Sequence, residues 1–349
     1  QDPNSPNRGI VLHTDGAGSK PVQSYLHWRE TGNSDCFKGL TQDVVAMNLD
    51  DIVCVGAQPL AFVDYIALNS LKVDKQALLK ALSEGFRECF ENLKKQGLNL
   101  AFSGGETADL PDQVRTLDVS GTILGSVDLK KVIKGDSIQP SDLIVGLSSD
   151  GKSRYERAWN SGIMCNGITL ARHCLMKREY CMKYPELIES TGKPYYGRFK
   201  IDDYIDELGM TVSEAILSPC RIYAPIILEI LEKLGEQVSG LIHNTGGGQT
   251  KCLRVGKNIH YEKNMLDEPP PIFKLIKEES GETWRNMYEI YNMGVGFEII
   301  VRRGYADEVI SVAEKYGIKA KVIGRCLKSN GVNKLTLTTP YGKFLYSRS

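Results

Sequence analysis

Short apolar runs alternate along the first third of the chain with longer segments whose apolar residues recur every three or four positions. The longer segments have the spacing of one helix face, which predicts helices over 37–55 and 74–96, the second capped by Asp74 and ended by Gly97. The short apolar runs predict four strands, at 10–14, 59–67, 98–103 and 117–125. This half therefore mixes helices and strands.

A polar stretch with glycine and proline, 134–142, separates this region from a second one. It sets the predicted boundary between an N-terminal domain, 1–138, and a C-terminal domain, 139–349. The second region predicts helices at 167–176, 222–234 and 305–316, and strands at 143–147, 240–243, 296–301, 320–324 and 334–338. Residues 177–210 are polar and tyrosine-rich and show no clear period. The pattern indicates a two-domain α+β protein with a mixed α/β second half.

A glycine-rich segment, TDGAGSK (14–20), follows the first predicted strand. Gly16 and Gly18 allow a tight turn whose backbone N–H groups face an anion. Lys20 supplies a point charge for phosphate, and Asp15 an oxygen ligand for Mg²⁺. A tight turn with a solvated lysine explains the same residues.

Carboxylates also lie on the first predicted helix, at Asp43, Asp50 and Asp51. Asp43 and Asp50 are seven positions apart and therefore share a face. Asp50 and Asp51 have apolar neighbours, where a carboxylate is costly unless it is paired or binds a metal. A solvated helix face is the simpler alternative.

The segment SGGETAD (103–109) repeats the combination of glycine and carboxylate at the end of a strand. Gly104 and Gly105 allow close approach of a ligand, and Glu106 and Asp109 add oxygen ligands. Alone, this segment is equally typical of a glycine turn with a capping acid. Three such elements in one half favour a shared Mg²⁺–phosphate site, although the Walker A pattern GxxxxGK[ST] is absent.

In the second half, HNTGGGQT (243–250) follows a predicted strand and precedes a predicted helix, so its backbone N–H groups form a candidate anion site at the helix N-terminus. His243 beside it is either an acid–base group or a satisfied core histidine. Asn292 lies in a glycine-rich segment that either contributes to a binding site or forms a structural turn. Arg221 has the geometry to bind phosphate with two hydrogen bonds, or else it forms an ion pair.

Composition argues against several classes of function and location. Lys+Arg and Asp+Glu both number 43, so no global basic excess favours nucleic acid or a membrane surface. No apolar run reaches the length of a transmembrane helix. The nine cysteines are scattered and form no CxxC pair, which favours a reduced, cytoplasmic protein over a disulfide framework.

The order of these motifs resembles the aminoimidazole ribonucleotide synthetase family, whose members are phosphoribosylformylglycinamidine cyclo-ligases. The first half resembles it through TDGAGSK, DVVAMNLDDIVCVGAQPLAFVDYIA and SGGETADLP, and the second through SPCRIYAP, IHNTGGGQT and YNMGVGFEI. The likeness covers about residues 9–325. Related enzymes that also use ATP and Mg²⁺ include selenophosphate synthetase and thiamine-monophosphate kinase.

The resemblance implies a fold, a reaction and a set of site residues. The N-terminal domain would bind ATP and form a β-barrel with the sheet of a second copy, giving a homodimer, and the C-terminal domain would be α/β. The reaction would be ATP-dependent ring closure of a small-molecule ribonucleotide, with ATP and Mg²⁺ as cofactors and K⁺ as a further cation.

By motif position, the implied residues fall into four groups. The catalytic ones are Asp51, Lys20 and His243, and the Mg²⁺ ligands are Asp15, Asp51 and Glu106, with Asp43 and Asp50 in support. The cofactor-binding ones are Thr14, Asp15, Gly16, Gly18, Asp43, Gly104 and Gly105, and the substrate-binding ones are Asn166, Arg221, Thr245, Gly246, Gly247, Gly248 and Asn292.

The chain departs from the family pattern in three places. The family's glycine-rich N-terminal segment is not found before Gly9, residues 152–163 form an insertion, and Met164-Cys165 stand where the family carries His-Ser. The lost histidine keeps two alternatives open: another ATP- and Mg²⁺-dependent phosphotransferase of the superfamily, or a non-catalytic nucleotide-binding paralogue.

Overall fold

The computed structural model describes residues 1–188 and 192–348. Its first half contains four strands and three helices within those residues. They are β1 (Arg8–Gly16), α1 (Lys20–Thr31), α2 (Lys38–Val53), β2 (Gln58–Leu68), α3 (Lys75–Lys95), β3 (Ala101–Asp109) and β4 (Leu117–Asp128).

The four strands form one sheet in the order β1-β4-β2-β3. Neighbours are antiparallel except β2 and β3, which are parallel because α3 carries the chain back between them. Alternate residues of β4 are buried against α2, which gives the sheet one covered face. The opposite face is open and carries exposed apolar side chains, among them Leu12, which is 68% exposed, and Tyr65, which is 42% exposed.

The second half is built around a larger sheet with helices packed on it. Its elements are β5 (Leu143–Ser148), α4 (Ile168–Leu175), α5 (Glu179–Lys183), β6 (Tyr204–Ile205), β7 (Met210–Thr211), α6 (Val212–Leu217), α7 (Ala224–Leu234), β8 (Val238–His243), β9 (Ile259–Lys263), α8 (Pro271–Ser280), α9 (Trp284–Ile290), β10 (Val295–Val301), α10 (Ala306–Lys315), β11 (Ala320–Lys328), β12 (Asn333–Thr339) and β13 (Gly342–Arg348).

Seven of these strands form a sheet in the order β13-β12-β9-β11-β5-β10-β8. Every residue of β8 and β10 is buried, so the strands at this end of the sheet are covered on both faces. β6 and β7 form a separate two-stranded ribbon. The structure confirms the mixed α+β fold.

Helix α2 joins the two halves. Most of its circumference is buried, since it packs on the first sheet and also against α7. Asp50 of α2 accepts hydrogen bonds from the backbone N–H groups of Tyr223 and Ala224 at the start of α7. These hydrogen bonds give a partner to N–H groups that have none within the helix, while complete burial raises the pKa of Asp50 well above its usual range.

One expectation about local structure is wrong, and another is met by a different type of helix. Residues 103–109 are not a turn after a strand, because β3 continues through Asp109 in register with β2. The segment after the glycine loop is a 3₁₀ helix, Gly248–Arg254, rather than an α-helix. No helix of the described chain combines the length and apolar character that crossing a bilayer requires.

Candidate active site between the two halves

A cavity of about 300 Å³ lies where the two halves meet. Several of the chemistry-bearing motifs line it: Asp15, Gly16, Gly18, Met47 and Asp51 from the first half, and Cys165, Asn166, Thr245, Gly246, Lys251 and Arg254 from the second. A larger hollow of about 730 Å³ lies elsewhere, among loops that include Lys72, Arg115 and Glu186. We take the smaller cavity as the candidate site, because carboxylates, cations and glycine backbone converge on it.

Gly18 allows the two walls of the cavity to approach each other. Its φ is +60°, and a Cβ there would lie 2.7 Å from the carbonyl oxygen of Cys165. A larger residue would strain the backbone and push the second half away.

Asp51, near the end of α2, lies among basic groups. Its Oδ1 is 2.9 Å from Nδ1 of His243 and 3.6 Å from Nζ of Lys251, and its Oδ2 is 3.4 Å from Nε2 of His13. Burial opposes ionisation, but the hydrogen bonds from the two histidines and the charge of Lys251 hold the pKa of Asp51 well below its usual range. The cavity therefore contains a permanent carboxylate.

His243, the last residue of β8, is completely buried. Burial lowers its pKa from the ordinary value, although the bond to Asp51 acts in the opposite direction. Its Nε2 has no hydrogen-bond partner and is 3.9 Å from Oδ2 of Asp50. The ring stacks on Phe297 at 5.8 Å between centroids. His243 is thus a rigid, neutral support for the Asp51 carboxylate.

The glycine loop after β8 forms another wall. Gly247 and Gly248 have φ values of +102° and +49°, and a Cβ on Gly248 would lie 2.2 Å from the carbonyl oxygen of Tyr291. Lys251 donates to Oγ1 of Thr245, and Arg254 lines the same cavity. Successive backbone N–H groups with two cations beside them suit an anion such as phosphate.

A buried polar network supports this loop. Nζ of Lys263 donates to Oε1 of Glu298 and, at 2.9 Å, to the carbonyl oxygen of Gln249. Asn244 donates to the same Glu298 oxygen at 2.7 Å. The charged pair is fully buried, so the start and the end of the loop are fixed to one point in the core.

Lys20 is placed differently from the expected phosphate contact. Its side chain is completely buried, and Nζ donates to Oδ1 of Asp43 at 2.8 Å and to the carbonyl oxygen of Ser218 at 2.6 Å. The pair connects α1 and α2 to the second half. Neither Lys20 nor Asp43 lines the cavity, because each is engaged by the other within the fold.

Arg221 and Asn292 are also occupied within the fold, which corrects the expectation that they face the substrate. Arg221 is 1% exposed and binds Glu156 through two hydrogen bonds of 2.8 and 2.7 Å. Glu156 lies in the 152–163 insertion, so the insertion holds this arginine. Asn292 receives a hydrogen bond from Ser149 and donates to the carbonyl oxygen of Gly162.

Glu106 is separated from the other expected Mg²⁺ ligands. Strand pairing aligns Gly16, Ser120, Tyr65 and Glu106 in one row across the sheet. Side chains alternate along a strand, so Glu106 shares the open face with Gly16, while Asp15 faces the other side. Three strand spacings put it about 14 Å from Gly16. The expected three-carboxylate site therefore does not form within one chain, and only Asp15 and Asp51 of the three line the cavity.

Three expected cofactor contacts also lie in the sheet rather than at the cavity. Thr14 donates to the carbonyl oxygen of Gly121 on β4. Gly104 and Gly105 lie beside Asp64 at an irregularity of the β2–β3 pairing, and a Cβ on Gly105 would overlap the Asp64 carboxylate. The positive φ of +103° at Gly104 and the close approach of Asp64 to Gly105 are enough to explain these two glycines.

Asn166 and the glycines at 16, 18 and 246 line the cavity as expected. Nδ2 of Asn166 is buried without a hydrogen-bond partner. Met164 is 1% exposed and takes an unusual positive φ of 59°. The position where the family carries histidine therefore places an apolar side chain in the core.

Three residues of the site were not anticipated: Lys251 and Arg254, which line the cavity, and His13, which contacts Asp51. His13 lies two positions before Asp15, and strand alternation would have put both on the face that contacts α2. Lys251 and Arg254 are three apart just after the glycine loop, a spacing that puts both on one side of a helical turn. These two spacings are the sequence signals that could have identified the three residues.

Fold and cavity together define a two-domain α+β enzyme with its candidate site between the domains. Two family models match the chain: AIR synthase related protein, N-terminal domain, over residues 3–127, and AIR synthase related protein, C-terminal domain, over 139–334. The chain belongs to the AIR synthase family, that of the phosphoribosylformylglycinamidine cyclo-ligases.

Named relatives agree with this assignment. The phosphoribosylformylglycinamidine cyclo-ligase of Methanocaldococcus jannaschii is 36% identical over 327 residues, which are 93% of this chain and 80% of the relative. That of Alkaliphilus metalliredigens is 31% identical over 331 residues, 92% and 81% of the two chains.

Solved structures share the fold at low identity. The hydrogenase maturation protein HypE of E. coli has a TM-score of 0.56 at 15% identity and covers 98% of this chain and 85% of its own. T. maritima PurL complexed with FGAR has a TM-score of 0.56 at 12% identity, and the match covers 97% of this chain and 45% of the PurL chain. These similarities extend to the fold alone.

Proposed function

We propose that this chain closes the imidazole ring of formylglycinamidine ribonucleotide in purine biosynthesis. The products are aminoimidazole ribonucleotide, ADP and phosphate. The observation that carries the proposal is the 36% identity to the M. jannaschii cyclo-ligase over 93% of the chain.

The chemistry sets three requirements. An amide oxygen is a poor leaving group, so ATP first phosphorylates it. A nitrogen of the amidine side then attacks the same carbon, phosphate leaves and a proton is lost. The site must bind phosphoryl oxygens, hold a carboxylate near the reacting groups and keep the two reactants oriented.

The cavity residues suit these tasks. Lys251, Arg254 and the backbone N–H groups around Gly246 bind phosphate oxygens. Asp51 supplies the permanent carboxylate, and His243 positions it through the 2.9 Å hydrogen bond. Asn166, whose amide nitrogen lacks a partner, is placed to orient the ribonucleotide.

Asp15 and Asp51 suit Mg²⁺, because both are carboxylates in one cavity and Asp51 stays ionised. When bound there, Mg²⁺ would offset the charge on the phosphoryl group during transfer. We propose K⁺ as a further cation on the basis of the family resemblance alone, and we assign no residues to it. Catalytic roles for Lys20 and Asp43 would require their buried ion pair to open.

We propose the domains as residues 1–138, for ATP binding and dimerisation, and 139–349. The open face of the β1-β4-β2-β3 sheet carries exposed Ile10, Leu12 and Tyr65, which supports a homodimer in which two such sheets close a barrel. In that dimer Glu106 and Thr14, which share the open face, would belong to the interface. The nine free cysteines support a reducing, cytoplasmic location.

Met164 favours one alternative, a different ATP-dependent phosphotransfer, since it replaces a histidine of the family pattern with a buried apolar side chain. The test is ADP release by the purified protein with ATP, Mg²⁺ and K⁺, measured with formylglycinamidine ribonucleotide and with thiamine monophosphate. The proposal expects ADP and aminoimidazole ribonucleotide in equal amounts with the first substrate. ADP release with thiamine monophosphate alone would support the alternative.

A further inference from the structure

Two cysteines and a carboxylate form a compact buried cluster beside the cavity. Asp43 of α2, Cys165 before α4 and Cys220 before α7 each place one ligand atom within 4.8 Å of the other two. All three side chains are buried, and the cluster joins the first half to the second. Neither the ring-closure chemistry nor the Mg²⁺ assignment uses the two thiols.

We propose that Asp43, Cys165 and Cys220 form a binding site for a thiolate-binding divalent cation, of which Zn²⁺ is the natural representative. Thiolate sulfur and carboxylate oxygen are both ligand types that Zn²⁺ binds, and three protein ligands leave a fourth position for water or another ligand. The site is independent of the reaction proposed above.

The Asp43 carboxylate has one oxygen that the fold leaves without a partner. Oδ1 accepts hydrogen bonds from Nζ of Lys20 at 2.8 Å and from the backbone N–H of Cys220 at 2.7 Å. Oδ2 is buried and has no hydrogen-bond partner. A buried unpaired carboxylate oxygen is costly, and a bound cation would remove this cost.

The sulfur positions are close to those that a metal requires. The thiol of Cys220 donates to Sγ of Cys165 across 3.3 Å. Two sulfurs on one tetrahedral Zn²⁺ lie about 3.8 Å apart, since each Zn–S bond is about 2.3 Å. The pair therefore has to open by only about half an ångström.

Charge balance also permits the ion. Lys20 and Asp43 form a neutral pair at 0% and 1% side-chain exposure. Binding of Zn²⁺ releases the two thiol protons, so two positive charges replace two protons and the buried cluster keeps its net charge. Cys165 also lines the cavity, which gives the ion a path from solvent.

Metal titration of the intact chain tests this site. The protein is reduced, stripped with a chelator and titrated with Co²⁺ under anaerobic conditions. The site predicts one tightly bound Co²⁺ per chain with a thiolate-to-Co²⁺ charge-transfer absorption, which Zn²⁺ then displaces. Absence of that absorption in the wild-type protein overturns the proposal.

Variants locate the site. Cys165→Ser and Cys220→Ser should each lose the absorption, while Cys36→Ser should keep it, since the Cys36 thiol is outside the cluster and donates to the carbonyl oxygen of Ser24. Zn²⁺ should raise the thermal unfolding midpoint of the wild type and of Cys36→Ser only. An unchanged absorption in both cluster variants would place the metal elsewhere and also overturn the proposal. Neither readout depends on ring closure, so failure of this site leaves the proposed function untouched.

Discussion

Asp51 keeps its charge in a mostly buried position because three basic side chains surround it. His13 and Lys251 contact it from β1 and from the 3₁₀ helix, and His243 contacts it from β8. Elements from both halves must therefore come together before this carboxylate is stabilised. Sequence spacing alone singled out Asp51 and His243 but could not pair them, since they are 192 positions apart.

The two histidines predict opposite dependences of stability on pH. Burial lowers the pKa of His243, so its contribution to stability is complete above the unfolded-state pKa of about 6.5 and is lost as the pH falls below it. The hydrogen bond with Asp51 raises the pKa of His13, so its contribution is present below about pH 6.5 and is lost as the pH rises through the folded-state pKa.

His243→Gln should therefore flatten the loss of unfolding free energy between about pH 7.5 and pH 5, and His13→Gln should steepen it. Urea unfolding across this pH range measures both slopes. Identical slopes in the two variants would contradict the assigned protonation states.

Sequence alone does not show which polar side chains have their partners inside the fold. Lys20, Arg221 and Asn292 are polar residues in motifs, and each has its partners within the protein. A motif gives the residue type but not whether a distant carboxylate reaches it. For Arg221 that carboxylate is Glu156, in an insertion that showed no recognisable pattern.

At the level of elements, the Arg221–Glu156 pair fixes the insertion to the segment before α7. Glu156→Gln should lower the free energy of unfolding by about 3 kcal/mol or more, because it leaves the buried guanidinium without a counter-charge. Arg157 in the same insertion is 84% exposed and pairs with Glu88, so Arg157→Gln should cost less than about 1 kcal/mol.

Denaturant unfolding of the two single variants measures this difference. Equal effects would show that the Arg221–Glu156 pair does not hold the insertion. The double variant Arg221→Met with Glu156→Leu should be less damaged than Glu156→Gln, since no buried charge remains unpaired.

Apolar periodicity predicted most strands and long helices. Each of these elements buries one face or both faces, so its buried positions repeat at a regular spacing in the sequence. β3 shows the limit: Gly104 and Gly105 suggested a turn, yet pairing with β2 keeps the chain extended through Asp109. Helix α1 was missed because buried polar residues, among them Lys20 and Gln23, interrupt its apolar face. β9 depends on partners distant in sequence, β11 and β12, which no local pattern shows.

At the scale of the whole molecule, the open face of the β1-β4-β2-β3 sheet is the surface that we propose as the dimer interface. Leu12→Glu places a charge on this face and should convert a dimer into monomers, because burial of an unpaired carboxylate opposes association. Leu71→Glu is the matched control, since Leu71 is 81% exposed in the loop between β2 and α3.

Sedimentation velocity over a range of protein concentrations distinguishes the states. We expect a dimer for the wild type and for Leu71→Glu, and a monomer for Leu12→Glu. An unchanged dimer in Leu12→Glu would place the interface on another surface.

The rate of ring closure by the Asp51→Asn variant is the most direct test of the site between the halves. The substitution keeps the shape but removes the charge that His13, His243 and Lys251 stabilise, and Asp35→Asn on the exposed surface is the control. We expect aminoimidazole ribonucleotide formation from ATP and formylglycinamidine ribonucleotide to fall at least about 100-fold in Asp51→Asn and to stay unchanged in Asp35→Asn, with both proteins folded. Formation at the wild-type rate by folded Asp51→Asn would contradict an active site at this cavity.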